Sequence, residues 1–153
     1  MRPYSSSATA AANTAAKTLW QLIGSTSTRW RVYDIIFSAA GVAPVDNAAE
    51  YQFQRSTAAS TVTAFTPVAL DNGDPATLMT TGTTGCGFLA TIEGTYTGSS
   101  RLLDIGVNQR ATFRWVARER SELIGPASTN GLGCVTNAVN SAFNANLTVL
   151  HYE

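Results

Sequence analysis

Charge is scarce in this chain: 13% of its 153 residues are Asp, Glu, Lys or Arg, against about 25% in an average domain. The ten basic and ten acidic side chains cancel. That removes the broad positive field on which non-specific nucleic-acid binding depends, so no nucleic-acid partner is expected. A single histidine and two cysteines fall short of a zinc-finger ligand set, and no carboxylate spacing replaces it. No metal or cofactor is implied. No stretch reaches the roughly 18 apolar residues of a membrane span, which leaves no membrane partner to expect. Residues 5–16 contain only Ser, Ala, Thr and Asn, unlike the apolar segment of a signal peptide. The protein is expected to be soluble and made in a cytoplasm.

What is present is apolar and small: 44% hydrophobic residues, with Ala, Thr, Ser, Gly and Asn filling the rest. One domain with one core fits this length. Cys86 and Cys134 form no paired CxxC motif. A disulfide between them is open in an oxidising compartment, but a core of this size needs no staple, and buried free thiols are the preferred reading.

Residues 1–16 stand apart in composition, with Tyr4 as the one large side chain available to anchor them. Ordering each backbone costs about 1–2 kcal/mol, which alanine methyls on an isolated surface do not return. The expectation is an extended arm, mobile or held by a partner. A helix over Ala8, Ala11, Ala12, Ala15, Ala16, Leu19 and Ile23 is the rival, weakened by Thr9, Asn13, Thr14 and Thr18.

From residue 17 onward the pattern is that of strands. Period-two alternation and turn residues place strands at 18–23, 29–38, 50–56, 61–70, 88–97, 101–105, 110–118, 121–124, 131–135 and 143–152. Residues 41–47 read as a loop, Pro67 interrupts its strand, and 76–79 reads as one helical turn. Asp71-Asn72-Gly73-Asp74-Pro75 is the strongest turn signal. As calcium ligands, Asp71 and Asp74 depart from the Asp-x-Asp-x-Asp-Gly pattern. The predicted fold is all-β: an antiparallel sandwich, jelly-roll-like, over residues 17–153, preceded by the arm.

Residues 110–118 put Arg110, Thr112, Arg114, Val116 and Arg118 on one face and Ala111, Phe113, Trp115 and Ala117 on the other. Arginines four apart in a strand lie about 13 Å from one another, which makes a stripe and not a pocket. The stripe either pairs with carboxylates of a protein partner or is neutralised internally by Asp or Glu. Arg2, Tyr4 and Lys17 at the arm, with Arg110, Arg114 and Arg118, are the candidate interaction residues. A catalytic arrangement would have to be built on His151, which no nucleophile motif supports, and no enzyme is expected. Gly82, Gly85 and Gly87 lack the helix and lysine of a phosphate loop. Trp20, Trp30 and Trp115 are either core or a sugar-stacking platform.

Residues Lys17-Thr18-Leu19 through Gly24, Thr28-Arg29-Trp30-Arg31-Val32-Tyr33-Asp34, Asp46-Asn47-Ala48-Ala49-Glu50-Tyr51, Arg55-Ser56-Thr57-Ala58 and Asn108 through Ala117 together resemble small virion proteins of tailed bacteriophages. The resemblance covers most of the chain after residue 16. It implies a head decoration, or cement, protein: a jelly-roll sandwich, a homotrimer, seated on the outer capsid surface across junctions of the major capsid protein. A receptor- or carbohydrate-binding module of a tail or baseplate is the alternative.

Overall fold

The computed structural model describes residues 1–12, 15–40, 46–137 and 143–153. Most of the loop expected at 41–47 therefore lies outside the described residues. Most strands form where alternation or β-branched content is strong, the one over residues 3–12 being an exception. The strands are β1 (Pro3–Ala12), β2 (Lys17–Ile23), β3 (Arg31–Ala40), β4 (Ala48–Ala58), β5 (Thr61–Ala64), β6 (Val68–Ala69), β7 (Gly87–Ile92), β8 (Thr95–Asn108), β9 (Phe113–Val116), β10 (Leu123–Ile124), β11 (Gly131–Thr136) and β12 (Phe143–Tyr152). All pairs are antiparallel, in two sheets. Sheet A runs β10-β3-β12-β1-β6, with β9 also paired to β3, and sheet B runs β5-β7-β2-β11-β4-β8. The chain is an all-β sandwich. Its first four strands alternate between the sheets, so the connections cross from layer to layer.

The core lies between the layers. Sheet A contributes Val32, Ile35, Phe37, Ala145, Leu147 and Val149, and sheet B contributes Trp20, Leu22, Tyr51, Phe53, Leu132 and Cys134, all buried. The Phe37 ring meets Tyr51 at 4.6 Å and Phe53 at 5.7 Å between centroids, joining the layers through aromatic contact. Each such side chain adds roughly 1.5–3 kcal/mol on burial. Trp20 and Trp30 are fully buried, which removes both as a stacking platform. Cys86 and Cys134 are free and buried, as preferred from sequence. Burial pushes the Cys86 thiol up to about 12 and raises Cys134 as well. Neither should react with a thiol-specific disulfide reagent at neutral pH until the chain is denatured, when both should titrate.

The arm is where expectation and structure part. Residues 3–12 are not a separate segment: β1 pairs with β12 over ten register positions, from Pro3 opposite Tyr152 to Ala12 opposite Phe143. Tyr4 is only 1% exposed, its hydroxyl donating to the Pro75 carbonyl at 3.0 Å. The ordering cost is offset by a backbone ladder with the far end of the chain, which local composition does not announce. The single strand expected at 61–70 is two, divided at Pro67, with β5 in sheet B and β6 in sheet A. Residues 76–79 form no helical turn. The gap left between the strands expected at 88–97 and 101–105 is absorbed inside β8, where Gln54 faces Arg101 but Ser56 faces Tyr96, a register shift that takes up extra residues as a bulge. Asp71 is turn chemistry, its carboxylate accepting the Gly73 N–H at 2.8 Å.

On the outer side of sheet B, Tyr96 lies against Gly133, where an added Cβ would sit 2.4 Å from the Tyr96 hydroxyl. That hydroxyl joins Thr18 at 2.8 Å and Ser60 at 3.2 Å, and Thr18 Oγ1 donates to Glu93 at 2.5 Å. Gln21 donates to the carbonyls of Ser60 and Gly85. The network satisfies buried polar groups and holds residues 93–96 over the sheet, a structural use of hydroxyls.

Candidate interaction surface

The outward positions of sheet A follow from register. Ser7 lies opposite Thr148, Thr148 opposite Ile36, and Ile36 opposite Arg114. The next row is Thr9, Asn146 and Ser38; the row on the other side is Ser5, Leu150, Asp34 and Val116. Inward alternates on β12 are buried at every position, from Phe143 to His151. The outer face is therefore a sheet of hydroxyls, amides and half-buried aliphatics. Ser7 Oγ and Thr148 Oγ1 are 3.0 Å apart, and the Thr9 hydroxyl donates to Asn146. Ser7, Thr9, Ser38, Asn146 and Thr148 line an open depression of about 380 Å³.

The face has one pair of opposite charges among these rows. Arg114 Nε donates to both Asp34 oxygens at 3.0 and 3.1 Å, and Nη2 to Oδ2 at 2.5 Å. The Arg114 side chain is 61% exposed while Asp34 is 3% exposed. Hydrogen bonds to Asp34, then its charge, raise the Arg114 pKa. Of the two fates open to the stripe, internal neutralisation is the one Arg114 takes. Beside it Val116 is 55% exposed. A surface with exposed apolar area and little free charge avoids the cost of desolvating unpaired charges on contact, and its hydroxyls and amides offer hydrogen bonds to a complementary partner.

The six sequence-derived residues do not converge. Arg114 is in β9, but Arg110 sits in the turn after β8, its backbone N–H donating to Asn108 Oδ1 at 2.9 Å, and Arg118 follows β9. The stripe is thus one strand arginine flanked by two in loops; the alternation of faces over 113–117 is as expected, the strand length is not. Tyr4 is core. Arg2 ion-pairs with Asp74 at 3.4 Å, and Lys17 opens β2 in the other sheet. Sequence reading passed over Ser5, Ser7 and Thr9, whose every-other-residue spacing matches Asn144, Asn146 and Thr148 on β12. That periodicity was visible, but Ser6 and Ala8 between these hydroxyls gave no hydrophobic alternation to mark a strand.

His151 is fully buried and its ring stacks on Tyr4 at 5.8 Å. His151 Nε2 lies 3.2 Å from Glu153 Oε1. The same carboxylate accepts the Thr77 hydroxyl and the Leu78 N–H, the latter at 2.7 Å. This knot ties residues 75–78 to the end of β12, a structural role for the histidine. Burial pushes the Glu153 carboxyl up, but hydrogen bonds from His151, Thr77 and Leu78 outweigh it and hold the group below its ordinary 4.5. A lowered folded value means the contribution is complete above the unfolded pKa and is lost as pH falls through the folded one. The protection of the Leu78 amide, its hydrogen-exchange rate relative to the unfolded chain at the same pH, should therefore fall on acidification below about 4.5, and Glu153→Gln should abolish that acid dependence.

No family model, curated protein or solved structure matches the chain.

Proposed function

We propose that the chain is a non-enzymatic virion structural protein, a decoration or cement protein that binds the outer surface of a tailed-phage head across junctions of the major capsid protein. The observation that carries this reading is the broad, nearly neutral outer face of sheet A, with its hydroxyl–amide rows beside exposed Val116. The resemblance of residues 17–58 and 108–117 to phage virion proteins supports it. So does the strand order: β1-β12-β3-β9 facing β2-β11-β4-β8 fits two interlocked Greek keys, the jelly-roll plan common to viral capsid and lectin domains. That support is analogy at the level of fold.

In this mechanism copies assemble as a homotrimer, each laying a flat face on capsid subunits, and the repeated contacts sum through multivalency to oppose separation of capsomers. Synthesis is in the host cytoplasm and the final location is the virion exterior. β1 belongs to the sandwich, so the clamp is the sheet face and not a free arm. The test is addition of the purified protein to heads lacking it, followed by sedimentation and imaging. Density at capsid-subunit junctions, lost in a Ser7→Arg, Thr148→Arg variant that still folds, is the expected result; absence of binding to heads refutes the proposal. The tail-module alternative rests on the stacked Tyr33–Tyr152 pair, 4.3 Å apart and half-exposed, and density at the tail tip would favour it.

A further inference from the structure

A second site lies at one end of the sandwich, where β10 of sheet A approaches β4 and β8 of sheet B. Arg55 occupies an inward position on β4, in register with buried Leu132. At this end of the core it reaches across the layers, and Nη1 donates to the Ile124 carbonyl at 2.8 Å. Arg29 stands exposed on the loop before β3. With Leu102, Glu122 and Gly125 they line an open groove of about 440 Å³, within the range of ligand sites. Neither guanidinium has an ion pair among the described residues, and residues 13–14, 41–45 and 138–142 contain no acid to supply one. Glu122 Oε2 is buried with no hydrogen-bond partner among the described residues.

The backbone adds a direction. Gly125 N–H donates to the Trp30 carbonyl at 2.9 Å, so alternation turns Leu123 toward β3 and Ile124 away from it. The Ile124 N–H consequently faces the groove side, on a strand whose outer edge is unpaired in sheet A. Donor capacity in excess of acceptors therefore meets an acceptor without a donor: the Arg29 guanidinium, the Arg55 N–H groups other than the one given to Ile124 and a strand N–H on one hand, Glu122 Oε2 on the other. A ligand that satisfies both carries a carboxylate and an amide N–H close together. An edge strand selects an extended backbone, and planar guanidiniums select a carboxylate.

We infer that this groove binds an extended acidic peptide segment of a partner, its backbone along β10 and a Glu or Asp side chain between Arg29 and Arg55. The groove is separate from the outer face of sheet A, and its chemistry holds whether or not the partner is a capsid subunit. The experiment is a ¹⁵N-NMR titration of the whole protein with a blocked hexapeptide alternating threonine and glutamate, the same peptide with glutamine, and inorganic phosphate, each at millimolar concentration. Saturable shifts at Ile124, Gly125 and the Arg29 and Arg55 side chains are expected with the glutamate peptide. Affinity should fall roughly tenfold for the glutamine peptide and for Arg29→Ala, the loss of one charged hydrogen-bonded contact. Arg29 is exposed, so that variant should keep the parent unfolding temperature; Arg55→Lys, which keeps charge but loses the fork, should also weaken binding. Absence of shifts, equal binding of the two peptides, equal shifts with phosphate, or unchanged affinity in Arg29→Ala overturns the inference.

Discussion

Deletion of residues 1–12 should abolish the folded state. β1 is paired with β12 along its whole length and carries buried Tyr4 and Ser6 into the core side of sheet A. Without it β12 becomes a bare edge, and Tyr4 no longer links the Pro75 carbonyl to the His151 ring. Tyr4→Ala alone should cost about 3–5 kcal/mol, by comparison with truncation of other buried aromatics. That is a large part of the 5–15 kcal/mol that typical domains possess. Ser7→Ala, on the exposed face of the same strand, should stay within about 0.5 kcal/mol. Urea denaturation followed by tryptophan fluorescence compares the three; a truncated chain with the parent's transition would refute the account of β1.

Gly125→Ala should be the most damaging added methyl among the described glycines. An added Cβ there would stand 1.9 Å from Trp30 Cε2 and 2.1 Å from Cζ2. Trp30 is 1% exposed, so its ring has nowhere to withdraw. Gly24 approaches the same indole, with a Cβ position 2.7 Å from Nε1. The clash is steric and falls at the upper end of the roughly 1–3 kcal/mol typical of overpacking. For a chain of this size that corresponds to a fall in Tm of about 6–12 °C. Gly106→Ala is the control: nothing lies within 4 Å of its Cβ position, and its Tm should not move. Trimming the ring as well, in Gly125→Ala with Trp30→Leu, should lose less than the sum of the two single changes. Calorimetry that finds the two glycine variants equally stable would sink the steric explanation.

Strands announced themselves where side-chain chemistry alternates against a core. Residues 143–152 are strand with the limits expected from sequence, and Tyr51 and Phe53 face inward opposite Gln52 and Gln54. β1 was illegible because Ser, Ala and Thr give no hydrophobic contrast; its order comes from backbone pairing with a strand at the other end of the chain. Pro67 signalled a break but not that the two halves join different sheets. The arginines separate in the same way. Arg114 was readable as internally neutralised, although nothing in sequence named Asp34 as the partner. Arg55 continues the inward series of Tyr51 and Phe53, but its pairing with an orphan groove depends on where β10 lands.

The adjacency of β1 and β12 also bears on how the molecule is made. Emerging from the ribosome, the first strand has no neighbour to close upon on its β12 side until Phe143–Tyr152 follows it out. Sheet A consequently closes late, and the wait is long because contacts so distant along the polymer are reached slowly. The opening Ser/Ala/Thr composition, poor in bulky apolar groups, then has a benefit during that interval: an unpaired nascent strand with little stickiness gives other chains little to seize.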